Sequence, residues 1–471
     1  MRGPPATRSV PAPAGSLGWR AMRLLLISTS ELGHQPLHVA SPAAMLRAQG
    51  HDVTCLDLAV QPWDVEAVDR AEAVAFSVPM HTAMRRAIRA AEAVKRRRPE
   101  LPVAFYGRYA PVGRDHTVGR VADRVSAGEY EPALAAWVDA LATGADPGPA
   151  FTAELGRGRA GFHLPARELL PPLERYAHFA DAGEERPVGY VEASHGCKYA
   201  CRHCPLPVVY DGAFRVVDAE VVLADIAQLV EAGARHITFG DPDFLNGPGH
   251  VLPLVRRMHE AFPDLTFDVT TKVEHIARGD ARLFAELARC GCRFMVTAVE
   301  CVNDAILALL DKGHTATEAA RAVEALRAVG IEPRPSFLPF TPWTSLADLV
   351  ALLDFVIGHD LIGNVDAVQY GIRLLVPEGS LVLDRPEMLP HLGPYDPEHL
   401  TFTWTAADPR VDALQAELAA LTEQHAAEGA SLLETFIEVD ARVRAAAGAD
   451  PAQIEPGSIE GRPRLTEPWF C

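Results

Sequence analysis

From Met22 to about residue 141, short apolar runs alternate with stretches in which apolar residues recur at three- and four-residue spacing. The runs MRLLLIS (22–28), DVTCLDL (52–58), AVAFSVP (73–79) and PVAFYG (102–107) have the length and flanks of strands, and the stretches between them have the period of helices. Alternating βα units imply a parallel sheet covered on both faces, a doubly wound Rossmann-type domain. Ligands of such domains meet the carboxyl ends of the strands, which places Ser28, Ser77 and Gly107 around one crevice.

A polar, Pro-rich connection at 142–186 leads to a second βα series at 187–381. Strands are expected at GYVEAS (189–194), HITFGD (236–241), LTFDVTT (265–271), FMVTAVE (294–300), EPRPSFLPF (332–340) and AVQYGIRLL (367–375), with a helix after each of the first five. Such a series predicts a partial or complete βα-barrel with its chemistry at the carboxyl ends of its strands. Residues 382–445 read as a helical extension built around Arg410–Glu428, and 446–471 lose periodicity and read as a flexible tail. Residues 1–21, rich in Pro, Gly, Ala and Arg, read as a disordered or non-native extension ahead of a start at Met22. The fold class is therefore α/β, a doubly wound sheet followed by a βα-barrel and a helical extension.

Composition narrows the function. The 471 residues are 48% hydrophobic and 23% charged, as in an ordinary globular protein, and no apolar run reaches the roughly 18 residues that span a bilayer. A net charge of -18 leaves no broad basic field for a polyanion, so no clear nucleic-acid surface is expected. The one dense basic run, Lys95 to Arg98, closes an amphipathic helix, where cations suit the dipole. Eight cysteines are too few for a disulfide scaffold in a chain of this size. Three of them, Cys197, Cys201 and Cys204, fall within eight residues, which argues for a metal centre in a reducing, cytoplasmic setting.

Those three stand as CxxxCxxC in ASHGCKYACRHCP, directly after the first strand of the second series. Three thiolates can ligate three irons of a cubane and leave the fourth open, whereas structural zinc needs four closed ligands. A zinc site completed by His195 or His203 is the competing reading. Gly196 allows the backbone to wrap closely at the start of the loop.

A CxxxCxxC loop after the first strand of a βα-barrel resembles the radical S-adenosylmethionine (SAM) superfamily. The resemblance implies a 4Fe-4S cluster on Cys197, Cys201 and Cys204 whose open iron chelates SAM. It also implies reductive cleavage of SAM to a 5'-deoxyadenosyl radical that acts on a substrate the sequence does not identify, with electrons from a flavodoxin- or ferredoxin-type donor. FGDPDF (239–244) resembles the segment that receives the SAM amino group, with Gly240, Asp241 and Asp243 as its candidates; the two carboxylates can equally cap the next helix. Lys272 after the third strand and Glu300 at the end of the fourth fall where the superfamily contacts SAM, although Cys301 replaces the usual Ser after that Glu. Arg373, near the last strand end, is either a bidentate anion ligand or half of a structural salt bridge. Cys290, Cys292 and Cys301 lie close together in sequence, as for an auxiliary cluster or as ordinary buried thiols.

A doubly wound domain before such a barrel resembles the cobalamin-binding subgroup, through GHDVTCLDL (50–58), Ser77, Gly107 and DRVSAGEYEPAL (123–134). The DxHxxG motif is missing, so cobalamin would bind without that histidine, with His34, His38 and His81 as substitutes; the alternative is a degenerate scaffold. Over most of its length the chain also resembles radical SAM proteins with a Cys-Sec-Ala-Glu-Pro or Cys-Cys-Ala-Glu-Pro tail, through HITFGDPDFLNGP (236–248), TKVEHI (271–276), LDKGHT (310–315), FTPWTS (340–345) and IRLLVPEGS (372–380). The ending LTEPWFC then implies a selenoprotein frame cut after Cys471, with Cys471 as a catalytic thiol, against an incidental terminal cysteine. A sulfur-transferring enzyme would favour a second cysteine triad near the N-terminus, where only Cys55 stands. A non-catalytic iron-sulfur electron carrier or sensor is the reading from another class.

Overall fold

The computed structural model describes residues 19–155, 162–454, 459 and 461–467. Cys471 and nearly all of the expected N-terminal extension lie outside the described residues. The chain divides into two compact units, one holding residues up to 31 and from 35 to 171, the other holding 32–34 and the chain from 172 onward.

In the first unit, β1 (Arg23–Ser28), β2 (Asp52–Asp57), β3 (Ala73–Ser77), β4 (Val103–Tyr106), β5 (Arg124–Gly128) and β6 (Phe151–Glu154) form one parallel sheet in the order β2-β1-β3-β4-β5-β6. Leu24 to Ile27 are buried on both faces, as a strand sandwiched between helix layers requires. Strand order reverses between β1 and β3, where Ser28 and Ser77 pair across the switch point. The sheet gains β6 from within the expected connection. Its FTAE sequence has a single large apolar residue and is only half-buried, so it carries no apolar run to read.

In the second unit, β7 (His178–Asp181) turns back as a hairpin on β8 (Glu184–Val191), and β9 (Ser194–Gly196) pairs antiparallel with β10 (Phe214–Val216). Strands β11 (His236–Phe239), β12 (Thr266–Thr271), β13 (Cys292–Glu300) and β14 (Glu332–Phe337) continue from β8 as a parallel series. A hairpin of β15 (Leu392–Asp396) and β16 (Thr401–Trp404) follows, and β17 (Arg464–Leu465) completes the sheet β14-β13-β12-β11-β8-β7-β17.

The barrel is partial, with five parallel strands. The expected sixth strand is replaced by a 3-10 turn at Ala367–Gly371, leaving a single bridge between Phe340 and Arg373. Gln369 explains the difference, because its side-chain oxygen accepts from Phe337 N at 3.0 Å and takes the place of a neighbouring strand's carbonyl. Helix Pro409–Glu428 packs against Gly371, where Gln415 Nε2 donates to its carbonyl at 2.8 Å.

The tail also departs from expectation. Leu465 pairs with Phe179 and packs on the cluster of Phe179, Val188 and Phe294. Arg462 forms ion pairs with Glu332 at 3.2 Å and Asp360 at 2.5 Å. A two-residue strand is too short to show a period. At the amino end of the sheet, the ring of Phe179 stacks 3.8 Å from that of His236, and Phe294 stacks 6.0 Å beyond. His236 is held by Thr266 at 2.7 Å and Asp268 at 2.9 Å, and burial pushes its pKa down, so this end is a packed floor.

Candidate iron-sulfur and SAM site

The cysteine loop leaves the carboxyl end of β8 through a short turn, Glu192 and Ala193, into β9. Gly196 closes that strand at φ +76°, a conformation costly for an L side chain, and a Cβ there would press into the carbonyl oxygen of Ala213 across the hairpin. Cys197 and Cys201 are buried and Cys204 is partly exposed. The three thiols lie close enough to act on one another electrostatically, and burial pushes Cys204 up to about 12 and Cys197 in the same direction. Thiolates at these positions therefore need cationic charge between them. A cubane places each thiolate on a different iron, whereas a single ion needs all its ligands to converge. Among the described residues no three His, Cys, Asp or Glu side chains converge in that single-ion way.

Asp241 and Asp243, adjacent to β11, have different jobs. Asp241 is turned back onto the β8–β9 turn, where one oxygen accepts from Ala193 N at 2.9 Å and the other from the Ser194 hydroxyl. Burial raises its carboxyl to about 7 despite those two bonds. The expected SAM contact is thus replaced, in its geometry, by support of the cluster loop. Asp243 accepts from Thr271 Oγ1 at 2.9 Å and pairs with His275 at 2.9 Å, linking the end of β11 to that of β12. Neither caps the following helix: Asp243 precedes a 3-10 turn without a side-chain capping bond. Gly240 hydrogen-bonds Val191 O at 2.8 Å, and the Tyr190 hydroxyl occupies the space a side chain there would need.

Lys272 is buried, 3.3 Å from Glu274 and with its ammonium 3.5 Å from the centre of the Tyr199 ring, inside the cysteine loop. Glu300 ends β13 with φ +63°, and one oxygen accepts from Lys312 Nζ at 2.8 Å and from His203 Nε2 at 3.1 Å. Burial would raise the Glu300 carboxyl, but Lys312 and His203 outweigh it and hold it far below the usual carboxylate range. Asp241, Asp243, Lys272 and Glu300 therefore gather with the cysteines at one edge of the sheet.

Arg373 does not join them as an anion ligand. Its guanidinium lies 3.9 Å over the Trp404 ring, donates to Trp404 O at 2.8 Å and stands 3.6 Å from Asp412, which is the structural alternative. Cys292 and Cys301 donate to nearby backbone carbonyls, as buried thiols of the polypeptide core do. Two partners of the loop went unread in the sequence: Asn246, whose side-chain nitrogen is 3.6 Å from Cys197 Sγ, and Lys312. Both stand inside segments quoted for the family resemblance, yet nothing local marks them as neighbours of a cysteine.

Residues 191–356 match the family model of the radical SAM superfamily, and residues 23–138 match the B12 binding domain. The chain carries a radical SAM domain and a B12-binding domain. The hopanoid C-3 methylase of Methylococcus capsulatus is 29% identical to it over 42% of this chain and 41% of the methylase, so the enzyme matches less than half of that relative's length. Among solved structures it shares the fold of the radical SAM methyltransferase TsrM from Kitasatospora setae (TM-score 0.60, 16% identity, 92% of this chain and 100% of that one). It also shares the fold of the cobalamin-dependent SAM radical enzyme OxsB (TM-score 0.67, 13% identity, 86% and 66%). A radical SAM domain implies a 4Fe-4S cluster and SAM, and a B12 binding domain implies cobalamin.

The first unit fits cobalamin at the switch point. Ser28 Oγ is buried there with no hydrogen-bond partner, Ser77 is buried opposite it, and Gly107 at φ +117° leaves a space where a Cβ would meet Val78 O at 2.9 Å. The histidines offered as cobalt ligands are engaged elsewhere. His38 Nδ1 pairs with the Tyr130 hydroxyl at 2.9 Å, the ring of His34 lies 4.8 Å from that of Tyr190, and His81 lies 6.2 Å from Tyr109. Ser28, Ser77 and Gly107 are the residues that would hold the cofactor.

Proposed function

We propose that this enzyme transfers a methyl group from SAM to a carbon of its substrate, with the cluster held by Cys197, Cys201 and Cys204. The joining of a B12-binding domain to a radical SAM domain carries this reading, supported by the likeness to a C-3 methylase and to a methyltransferase fold along nearly the whole chain. When bound, the cofactors supply one-electron reduction, a source of methyl and radical chemistry, and a methyl carrier. The chain's own residues hold the loop and set its charges. Gly196 and Asp241 fix the entry to the cysteines, Lys272 ties that loop to the end of β12 through the Tyr199 ring while Asp243 joins the ends of β11 and β12, and Glu300 anchors the loop to β13 through His203. We assign the SAM contacts to the edge carrying Gly240, Asp243, Lys272 and Glu300.

Anaerobic protein with iron, sulfide, SAM and dithionite tests the reading, with and without cobalamin, in wild type and Cys201→Ala. Cobalamin-dependent S-adenosylhomocysteine in wild type alone is expected. 5'-Deoxyadenosine without S-adenosylhomocysteine would refute methyl transfer while keeping radical catalysis, and neither product would favour an electron carrier. The reductant is a low-potential flavodoxin- or ferredoxin-type protein in this reading. The narrower resemblance to the Cys-Sec-tail proteins rests on the quoted segments, and a catalytic role of Cys471 is tested by Cys471→Ser in the same assay.

A further inference from the structure

Tyr199 stands between Cys197 and Cys201, and its hydroxyl is 3.1 Å from Nε2 of His275, on the short helix Val273–Ala277 that follows β12. The two rings meet edge to face with their centres 5.6 Å apart. The same Nε2 lies 2.9 Å from Asp243 Oδ2. A carboxylate offers only lone pairs, so Nε2 carries the proton and the Tyr199 oxygen shares it as a second acceptor. The other oxygen of Asp243 accepts from Thr271 Oγ1 at 2.9 Å and from Lys272 N at 3.4 Å. Lys272 then returns to the cysteine loop, with its ammonium 3.5 Å from the centre of the Tyr199 ring and 3.3 Å from Glu274. These contacts close a circuit that runs from Tyr199 to His275, Asp243 and Lys272 and back to Tyr199. Asp243 is 1% exposed and Lys272 7%, so neither replaces a lost partner with water at little cost.

We propose that His275 is a positioning residue: by joining Tyr199 to Asp243 it holds the SAM edge in register with the cysteine loop. The inference rests on the assignment of SAM contacts to Asp243 and Lys272. Three segments meet in the circuit, the cysteine loop and the chain after β11 and after β12, and His275 hydrogen-bonds to the first two from the third. Groups fixed before a ligand arrives lose less freedom when it binds, so a closed circuit strengthens SAM binding although His275 itself need not touch SAM. Opening it at His275 releases the Tyr199 ring beneath Lys272 and leaves one oxygen of Asp243 without its donor. The entry to the cysteines stays held by Asp241 through Ala193, so the cluster still assembles and the loss falls on SAM.

The experiment measures SAM binding by calorimetry on the anaerobically reconstituted full chain, with iron content determined for each protein. Wild type is compared with Tyr199→Phe, which removes the hydroxyl and keeps the ring, with His275→Phe, which keeps a ring and removes the donor, and with the double variant. A fourth variant, His275→Gln, places an amide N–H where Nε2 stands. Each of the two Phe variants should keep its iron and bind SAM about threefold to tenfold more weakly, the range set by one hydrogen bond. The double variant should bind about as the weaker single variant does, because either change opens the same circuit. His275→Gln should stay within about twofold of wild type. Wild-type affinity in both Phe variants, or effects that multiply in the double variant, overturn the proposal alone. So does loss of iron from Tyr199→Phe, or failure of His275→Gln to restore binding, since either makes the pair a packing element of the loop. Wild-type protein that holds its cluster without binding SAM would overturn the edge assignment and the proposal together.

Discussion

Replacing Asp241 separates support of the cysteine loop from direct contact with SAM. In Asp241→Ala the buried Ala193 N–H and the Ser194 hydroxyl lose the two carboxylate oxygens that receive them. Each orphaned buried group costs about 1–3 kcal/mol, so the turn between β8 and β9 is weakened by roughly 2–6 kcal/mol. That turn fixes Gly196 and hence the start of the cysteine loop, so the expected result is a several-fold fall in iron bound per chain together with a lower urea midpoint. SAM affinity, measured on the fraction that retains its cluster, should change little. Asp241→Asn keeps one acceptor and should fall between. The pH dependence gives a second reading. The folded carboxyl stands at about 7 against 3.8 in the unfolded chain, so stability from this group is full below pH 3.8 and is lost as pH rises through 7. The total is on the order of 4 kcal/mol, and Asp241→Asn should flatten that part of the profile. Unchanged iron content and urea midpoint, with SAM binding alone weakened, would refute the argument and return Asp241 to the SAM amino group.

Other substitutions probe other parts of the fold. Gly196→Ala adds about 1–2 kcal/mol of backbone strain and a collision with Ala213 O, and should abolish cluster assembly as judged by visible absorption. Arg373→Ala should lower the thermal midpoint through loss of the Trp404 and Asp412 contacts while leaving SAM affinity within twofold in calorimetry. Phe179→Ala removes the ring stacked on His236 in the fully buried floor and should cost about 3–5 kcal/mol in chemical denaturation, without altering the spectrum of the assembled cluster.

Much of the architecture is a local property of the chain. The apolar runs of β1 to β4 and the parallel strands of the second sheet stand where their patterns place them, because a strand buried on both faces must be apolar along its length. The cysteine spacing likewise belongs to a few consecutive residues, and cluster chemistry can be read from it without knowing the rest of the fold. Position in the βα order is enough to bring Asp243, Lys272 and Glu300 to the same edge as those cysteines.

What only tertiary packing decided is which group each of these side chains answers. Asp241 meets residues 47 and 48 positions earlier, and Arg373 is held by a hairpin with no precedent in the preceding βα alternation. Gln369 replaces a sixth strand, and Leu465 finds Phe179 across most of the second unit. A carboxylate or guanidinium has the same local signature whether it faces a ligand or a backbone amide, since periodicity records burial and not the identity of the partner. Lys312 shows the limit most clearly: within LDKGHT it reads as one more loop lysine, and only the docking of that loop on Arg202 brings it to Glu300.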